Sequence, residues 1–246
     1  GWLGLGSPPD TPAEQFASWL PYSAYLADEK LFVNRDSLGF MLELMPQSGA
    51  DDRMAEVLIS LYSTCPPATG IQFHLFASPH IREQLRRYAN LRVEDADQAE
   101  KAQHWGRPAR NDNLFRRLAR QRAGHLLRGA QESLTTGFHY ALRDFRLMLS
   151  VTLPGNVDDL NRIDEVLTLR ESMASTLRSA LLPNQVCDAA ALINWCALFT
   201  NPDRTAQTDA PNLHYDDGRE IRDQIVDFDT IQDAVAGGTR LWKDRR

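Results

Sequence analysis

The chain has 246 residues, which is enough to bury a sizeable hydrophobic core, and its composition of 43% hydrophobic and 24% charged residues is ordinary for a globular protein. The net charge of −6 argues against nucleic-acid binding over the surface as a whole. Three cysteines without a CxxC motif argue against a disulfide scaffold and favour a reducing compartment.

The first predicted elements are a short helix and a β-hairpin. Residues 1–15 are rich in glycine and proline and are predicted to be mobile. A short helix is predicted over 16–26. Residues 31–33 and 37–45 predict two antiparallel strands, since apolar residues alternate along the second one, as in a sheet that is covered on one side.

A helix and a third strand follow the hairpin. Either Ser48 or Asp51 is expected to cap the helix, because each carries an oxygen that accepts hydrogen bonds from first-turn amides. Apolar residues then recur at helical spacing from Met54 to Tyr62, and Pro66 ends the helix. Residues 71–77 predict the third strand, with Ile71, Phe73 and Leu75 on one face.

The second half of the chain is predicted to be mostly helical. A long helical region covers 78–133 and precedes the fourth strand, 139–154, in which Phe145, Leu147, Leu149, Val151 and Leu153 are expected to face the core. Helices are predicted over 156–182 and 186–199. The apolar run at 186–199 is shorter than the roughly 20 residues that a membrane span requires. In the polar tail, residues 213–215 and 220–228 predict a hairpin through Asp217-Gly218.

This order predicts an α+β fold. The expected architecture is a four-stranded antiparallel sheet packed by helices on one face, a ferredoxin-like variant with a long helical insertion. Three segments are expected: a mobile start at 1–15, an α+β assembly or docking domain at 16–200, and a polar tail at 201–246 that leads toward an absent ATPase domain. The start at Gly1 without Met and the charged end predict an excised piece of a longer protein.

The sequence offers no recognisable catalytic, cofactor or metal motif. A nucleotide-binding loop requires GxxxxGK[ST], and Gly237-Gly238-Thr239-Arg240 lacks both the lysine and the spacing. None of the six histidines pairs at metal-ligand spacing, and paired carboxylates such as Asp51-Asp52 fall at predicted helix starts or turns. No nucleophile elbow is present. We therefore predict no catalytic, cofactor-binding or metal residues in this chain.

The most charge-biased stretch, 107–128, contains seven arginines and the single carboxylate Asp112. A solvated helix face is the simpler interpretation. The sharper one is a docking surface for an acidic protein or for membrane headgroups, and nucleic acid is disfavoured because interleaved aromatic residues are missing. The predicted docking residues are Arg110, Arg116, Arg117, Arg120 and Arg128.

Five short blocks between Leu20 and Ile81 occur in the order typical of one protein family. They are Leu20-Pro21-Tyr22, Asp28-Glu29, Asp36-Ser37-Leu38-Gly39-Phe40, Gly49-Ala50-Asp51 and Gln72-Phe73-His74-Leu75. Through these blocks the chain resembles the amino-terminal region of the TraC family, the assembly ATPases of F-type conjugative type IV secretion systems. The likeness is clearest over 20–81 and becomes more diffuse toward residue 199.

The resemblance implies a role in a large machine. Members of the family are cytoplasmic, peripheral at the inner membrane, and energise pilus assembly and DNA transfer, typically as hexamers. ATP and Mg²⁺ would bind a carboxy-terminal domain, and the amino-terminal domain would contact other channel subunits. This chain would then be an inactive docking part of an ATPase, without direct nucleic-acid binding. The alternative is a small stand-alone cytoplasmic enzyme with an unrecognised site.

Overall fold

The computed structural model describes six ranges of the chain, namely residues 16–82, 84–89, 114–200, 214–225, 230–235 and 238–243. A 3₁₀ helix at Phe16–Trp19 comes first. The strands are β1 (Tyr22–Leu26), β2 (Leu31–Asn34), β3 (Ser37–Leu44), β4 (Gly70–Ser78), β5 (Asp144–Pro154), β6 (Asn184–Val186), β7 (Thr230–Val235) and β8 (Gly238–Lys243). The helices are α1 (Asp52–Ser63), α2 (Leu114–Arg128), α3 (Leu160–Ser179), α4 (Ala189–Thr200) and α5 (Arg222–Ile225).

The main sheet has six strands instead of the predicted four. Its order is β1-β2-β3-β5-β4, and β6 pairs with β3 beside β2. All its pairings are antiparallel, and β3 runs along β5 from Ser37 opposite Pro154 to Leu44 opposite Leu147. The α+β class with an antiparallel sheet is confirmed. The four-stranded count is wrong, and this order does not confirm the ferredoxin-like arrangement.

Strand β1 replaces most of the helix predicted over 16–26. The helical turn ends at Trp19, and Tyr22–Leu26 pairs antiparallel with β2. Tyr25 packs on Phe32 of β2, with ring centroids 5.0 Å apart. Aromatic side chains gain more from this cross-strand contact than from a short exposed helix, which explains why tertiary packing overrides the local pattern.

One face of the sheet, here called the upper face, carries the larger hydrophobic core. Leu42 of β3 and Leu149 of β5 are fully buried there against Val166 and Leu177 of α3. Helix α1 adds Leu61 to the same core. The predicted alternation of β3, the helix after Asp51 and the helix after residue 156 are confirmed by this layer.

The opposite, lower face is covered as well, so the prediction of helices on one face is wrong. Met41 of β3 and Met148 of β5 are buried on this face against Ile193 of α4. Ile221 and Ile225 complete this lower layer and have no exposed surface. The core therefore includes residues beyond 200, while the division of the chain into domains stays a prediction.

Two boundaries of the second half differ from the prediction. The fourth predicted strand begins at Asp144 instead of residue 139. In the tail, residues 222–225 are helical, so the strand predicted at 220–228 is wrong there, and the observed hairpin pairs β7 with β8. Residue 213 and residues 226–228 lie outside the described ranges. Among the described helices, none combines the length and the apolar character that crossing a membrane requires.

Candidate docking surfaces

The predicted docking arginines belong to helix α2 and the segment before it. Arg110 lies outside the residues that the structure describes. Arg116 belongs to α2, but the structure describes only its backbone. Arg117, Arg120 and Arg128 are exposed, and we call these three residues the basic face. Helix α2 contains five arginines and no carboxylate, so its charged side chains are all basic.

The period of the helix explains why these arginines share one side of α2. At 100° per residue, Arg117 and Arg128 point in nearly the same direction, about 16 Å apart along the axis. Ala119 lies on the other side and is 5% exposed, which identifies the packed side of the helix. Leu118, although apolar, is 47% exposed. The exposed side of α2 is therefore basic with an apolar residue on it.

An exposed aromatic pair lies close to the carboxy-terminal end of α2. Phe138 and Tyr140 are 63% and 69% exposed, and their rings stack with centroids 5.7 Å apart at 18°. The backbone N–H of Leu142 donates to the carbonyl of Gly129, 2.7 Å away, which brings this loop back to the helix end. The sequence pattern predicts a strand from residue 139, which includes Tyr140, and does not indicate the aromatic pair.

Strand β4 presents a second exposed surface. It forms the end of the sheet, and no described strand pairs with its outer edge. Its nine residues contain no aspartate, glutamate, lysine or arginine. Phe73 and Leu75 are 45% and 65% exposed on the upper face, beside Phe145 of β5, which is 52% exposed and not in the core as predicted. An uncharged edge of this kind has the backbone groups that another extended segment pairs with.

The lower face holds a polar cluster around Glu43 of β3. Oε1 of Glu43 accepts two hydrogen bonds from Arg146, at 2.7 and 3.1 Å, and Oε2 accepts one from Gln185 at 3.0 Å. The Arg146 guanidinium lies 5.4 Å from the centre of the Trp195 ring. Both oxygens of the carboxylate are thus engaged by neighbouring side chains, as in a structural ion pair.

Asp144 lies near the same cluster. Burial raises the pKa of its carboxyl group, Arg146 acts to lower it and Glu43 acts to raise it. Gln84 donates a hydrogen bond to its Oδ2 at 2.5 Å. A perturbed pKa of this kind arises at structural ion-pair networks as well as at catalytic sites, so it does not by itself assign a reaction.

The residues considered for metal and nucleotide chemistry are dispersed. The three cysteines are free thiols, and His74 packs its ring 6.5 Å from that of Trp195. Within the part of the chain that the structure describes, histidine, cysteine and carboxylate side chains do not gather into a group that would hold a metal ion. Gly238-Thr239-Arg240 lies in strand β8 of the small hairpin.

Several of the blocks that carry the family resemblance lie at positions that stabilise the fold, namely a helix cap, a contact between strands and a turn. Asp51 caps α1, since its Oδ1 accepts from the amide of Met54 at 2.8 Å. Gly39 lies against β5, where a Cβ would meet the carbonyl oxygen of Val151, so there is no space for a side chain. The carbonyl of Glu29, in the turn between β1 and β2, accepts a hydrogen bond from Arg170 of α3. The residues of these blocks therefore have structural roles in the fold. Phe73 and Leu75, from the last block, also lie on an exposed surface.

Comparison with known proteins places the chain in a family. A family model described as TraC protein matches residues 16–243. Protein TraC of Escherichia coli (strain K12) is 26% identical over 183 residues, which cover 73% of this chain and 19% of that protein. The chain thus spans about a fifth of the length of this curated relative. No solved structure matches. Because the family match covers nearly the whole chain, the chain belongs to the TraC protein family.

Proposed function

We propose that this chain is the amino-terminal interaction domain of a conjugative type IV secretion ATPase, which energises pilus assembly and DNA transfer. The observation that carries this proposal is the TraC family match over 16–243, in a chain that spans 19% of its relative. The 246 residues contain no GxxxxGK[ST] segment, so ATP and Mg²⁺ would bind another part of the full-length protein. The segment itself then acts by binding and not by catalysis.

Two described surfaces support a docking role. The basic face of α2 is exposed and unopposed by acidic residues on its own helix, and the edge of β4 is uncharged with Phe73 and Leu75 exposed. Surfaces of these kinds are typical of contacts with other chains or with charged headgroups. The proposed partners are other subunits of the secretion channel at the cytoplasmic side of the inner membrane, around a hexamer of the full-length protein.

The docking role is tested in the full-length protein with paired substitutions. We expect Phe73→Ser with Leu75→Ser, on the open edge, to reduce DNA transfer at least tenfold while ATP hydrolysis by the purified protein is retained. The matched control is Ile59→Ser with Tyr62→Ser, since these residues are 68% and 72% exposed and belong to helix α1 instead of the sheet. Equal transfer by both variants would contradict docking through β4.

The proposal that this chain does not hydrolyse ATP by itself is tested with the purified 246-residue chain. It should release no phosphate from ATP above a buffer control, while the full-length protein does so. The alternative, a small stand-alone enzyme, stays a prediction, and the polar cluster around Glu43 is where its chemistry would have to be sought. Steady ATP turnover by the chain, lost on Glu43→Gln, would favour that alternative over an interaction domain.

A further inference from the structure

Positive charge is concentrated in one part of a chain that is acidic overall. Residues 114–143 contain six arginines and one carboxylate, Glu132, although the net charge of the whole chain is −6. A segregation of this strength produces a local positive field on a protein that would otherwise be repelled by anionic surfaces. The partner of this part should therefore be anionic.

The positive region is also amphipathic. Leu118 is exposed on α2 next to Arg117, and Phe138, Tyr140 and Leu142 are exposed close to the end of the same helix, with Leu142 38% exposed. The side chain of Arg143 donates to the carbonyl of Ala130 at 2.8 Å, and Ser133 Oγ donates to the carbonyl of Phe138 at 2.5 Å. These bonds hold the loop against the end of α2, so the exposed aromatic pair lies next to the carboxy-terminal end of the basic helix.

We propose that the basic face of α2, together with Leu118, Phe138 and Tyr140, binds the surface of an anionic lipid bilayer. Arginines attract acidic headgroups, while aromatic and leucine side chains enter the boundary between headgroups and acyl chains. The helix would lie in the plane of the membrane, since its arginines extend along its length and not around one end.

The same observations favour lipid over the other anionic partners. Phe138 and Tyr140 stack on each other at 18°, so one face of each ring is already covered and is not open to a nucleobase. An exposed aliphatic side chain such as Leu118 between arginines adds nothing to phosphate contacts along a nucleic-acid strand, whereas it contributes directly to insertion into lipid. Leu118 and the aromatic pair thus distinguish a membrane surface from a purely ionic partner.

An anionic lipid bilayer is thus the proposed partner of the predicted docking arginines. Only the identity of that bilayer as the inner membrane rests on the proposed function. Lipid binding is tested by co-sedimentation of the 246-residue chain with vesicles of phosphatidylglycerol and phosphatidylcholine, and with phosphatidylcholine alone. We expect binding to the anionic vesicles that weakens as salt is added. Arg117→Gln with Arg120→Gln should weaken it on the order of thirtyfold, from the contribution of each basic residue near an anionic surface.

Two further variants make the test specific. Arg53→Gln with Arg178→Gln removes the same charge from exposed positions of α1 and α3 and should change binding less than threefold. Phe138→Ser with Tyr140→Ser should weaken binding severalfold while its salt dependence remains, because the arginines are intact. Circular dichroism checks that each variant is folded.

Several results would overturn the lipid proposal. They are equal binding to both kinds of vesicle, equal losses for the two arginine pairs, and binding of single-stranded DNA or an acidic peptide without binding to vesicles. The proposed function fails separately, through the ATPase and transfer experiments on the β4 edge. A chain that ignores vesicles while the β4 variant still loses DNA transfer would refute lipid binding and leave the docking role standing.

Discussion

Arg146 and Glu43 form an ion pair that links the two central strands of the sheet, with Nη2 of the guanidinium 2.7 Å from Oε1 of the carboxylate. Their side chains are 27% and 28% exposed, so both charges are partly removed from water. Arg146 also lies against the ring of Trp195 from α4. The pair therefore joins β3, β5 and α4, and its removal tests how the lower layer is held.

Replacing Arg146 by alanine should destabilise the fold by about 2–3 kcal/mol, because Glu43 would keep its partial burial and retain Gln185 as its described side-chain donor. The measurement is urea unfolding at neutral pH. Arg162→Ala is the matched control, since Arg162 pairs with Glu165 one turn along α3 in a more exposed position. That change should cost less than about 0.5 kcal/mol. Equal losses would show that the Glu43 pair has no special role.

The local signals of the sequence predict the upper layer well. The placement of Leu38, Phe40, Leu42 and Leu44 on one face and the cap at Asp51 depend on residues close together in the chain, and the structure shows both. The lower layer depends on contacts between distant residues. Met148 is buried because α4 and Ile221 cover it, and nothing near Met148 in the sequence indicates that cover. The alternation of apolar residues along a strand assigns side chains to two faces of the sheet, but it does not show whether one or both faces are covered by other elements.

The exposed surfaces were predictable only in part. The arginines of α2 stand out by composition, and Arg117, Arg120 and Arg128 are exposed as a docking surface requires. Phe73 and Leu75 have the pattern of core residues, and their exposure follows from the position of β4 at the end of the sheet. Strand order is a property of the whole fold, so no local pattern contains it.

Gly39 should not tolerate even a methyl group. A Cβ built on Gly39 would lie 2.5 Å from the carbonyl oxygen of Val151 and 2.9 Å from Cγ2 of Thr152. Because the first contact is with the backbone of β5, relief would require β3 and β5 to separate. We expect Gly39→Ala to cost about 2–3 kcal/mol in thermal or urea unfolding.

Gly49 is the matched control for this substitution. A Cβ at Gly49 would meet no atom within 4 Å, so Gly49→Ala should be neutral or slightly stabilising, since alanine restricts the unfolded chain more than glycine does. Both glycines belong to the blocks that resemble the TraC family, which makes the comparison informative. A tolerated alanine at Gly39 would mean that the two strands are more loosely paired than the structure shows.

The cap of α1 gives a third prediction. Asp51→Ala removes the hydrogen bond to the Met54 amide and should destabilise the protein by about 1 kcal/mol, whereas Asp51→Asn should retain most of it because the amide oxygen also accepts. Equilibrium unfolding of the three proteins measures the difference. Similar losses for alanine and asparagine would attribute the effect of Asp51 to its charge near the helix amino terminus instead of to the hydrogen bond.

Alkaline pH should weaken the lower layer. Burial raises the pKa of Cys187 and of Cys196 to about 12, and it raises that of Tyr22 to about 12 as well. These groups ionise more readily in the unfolded chain, near their ordinary values of 9.0 for the thiols and 10.0 for the phenol. The unfolded state therefore binds fewer protons between pH 9 and 12, and the free energy of unfolding falls across that window.

The contribution of Cys187 can be isolated by its slope. Below about pH 9 the stability it provides is fully present, and above that point each proton held only by the folded state lowers the free energy of unfolding by about 1.4 kcal/mol per pH unit. Cys187→Ala should remove one such proton, so the variant loses stability less steeply between pH 9 and 10, whatever its stability at neutral pH. The measurement is urea unfolding at a series of pH values. An unchanged slope would mean that the Cys187 thiol ionises as easily in the folded protein as in the unfolded chain.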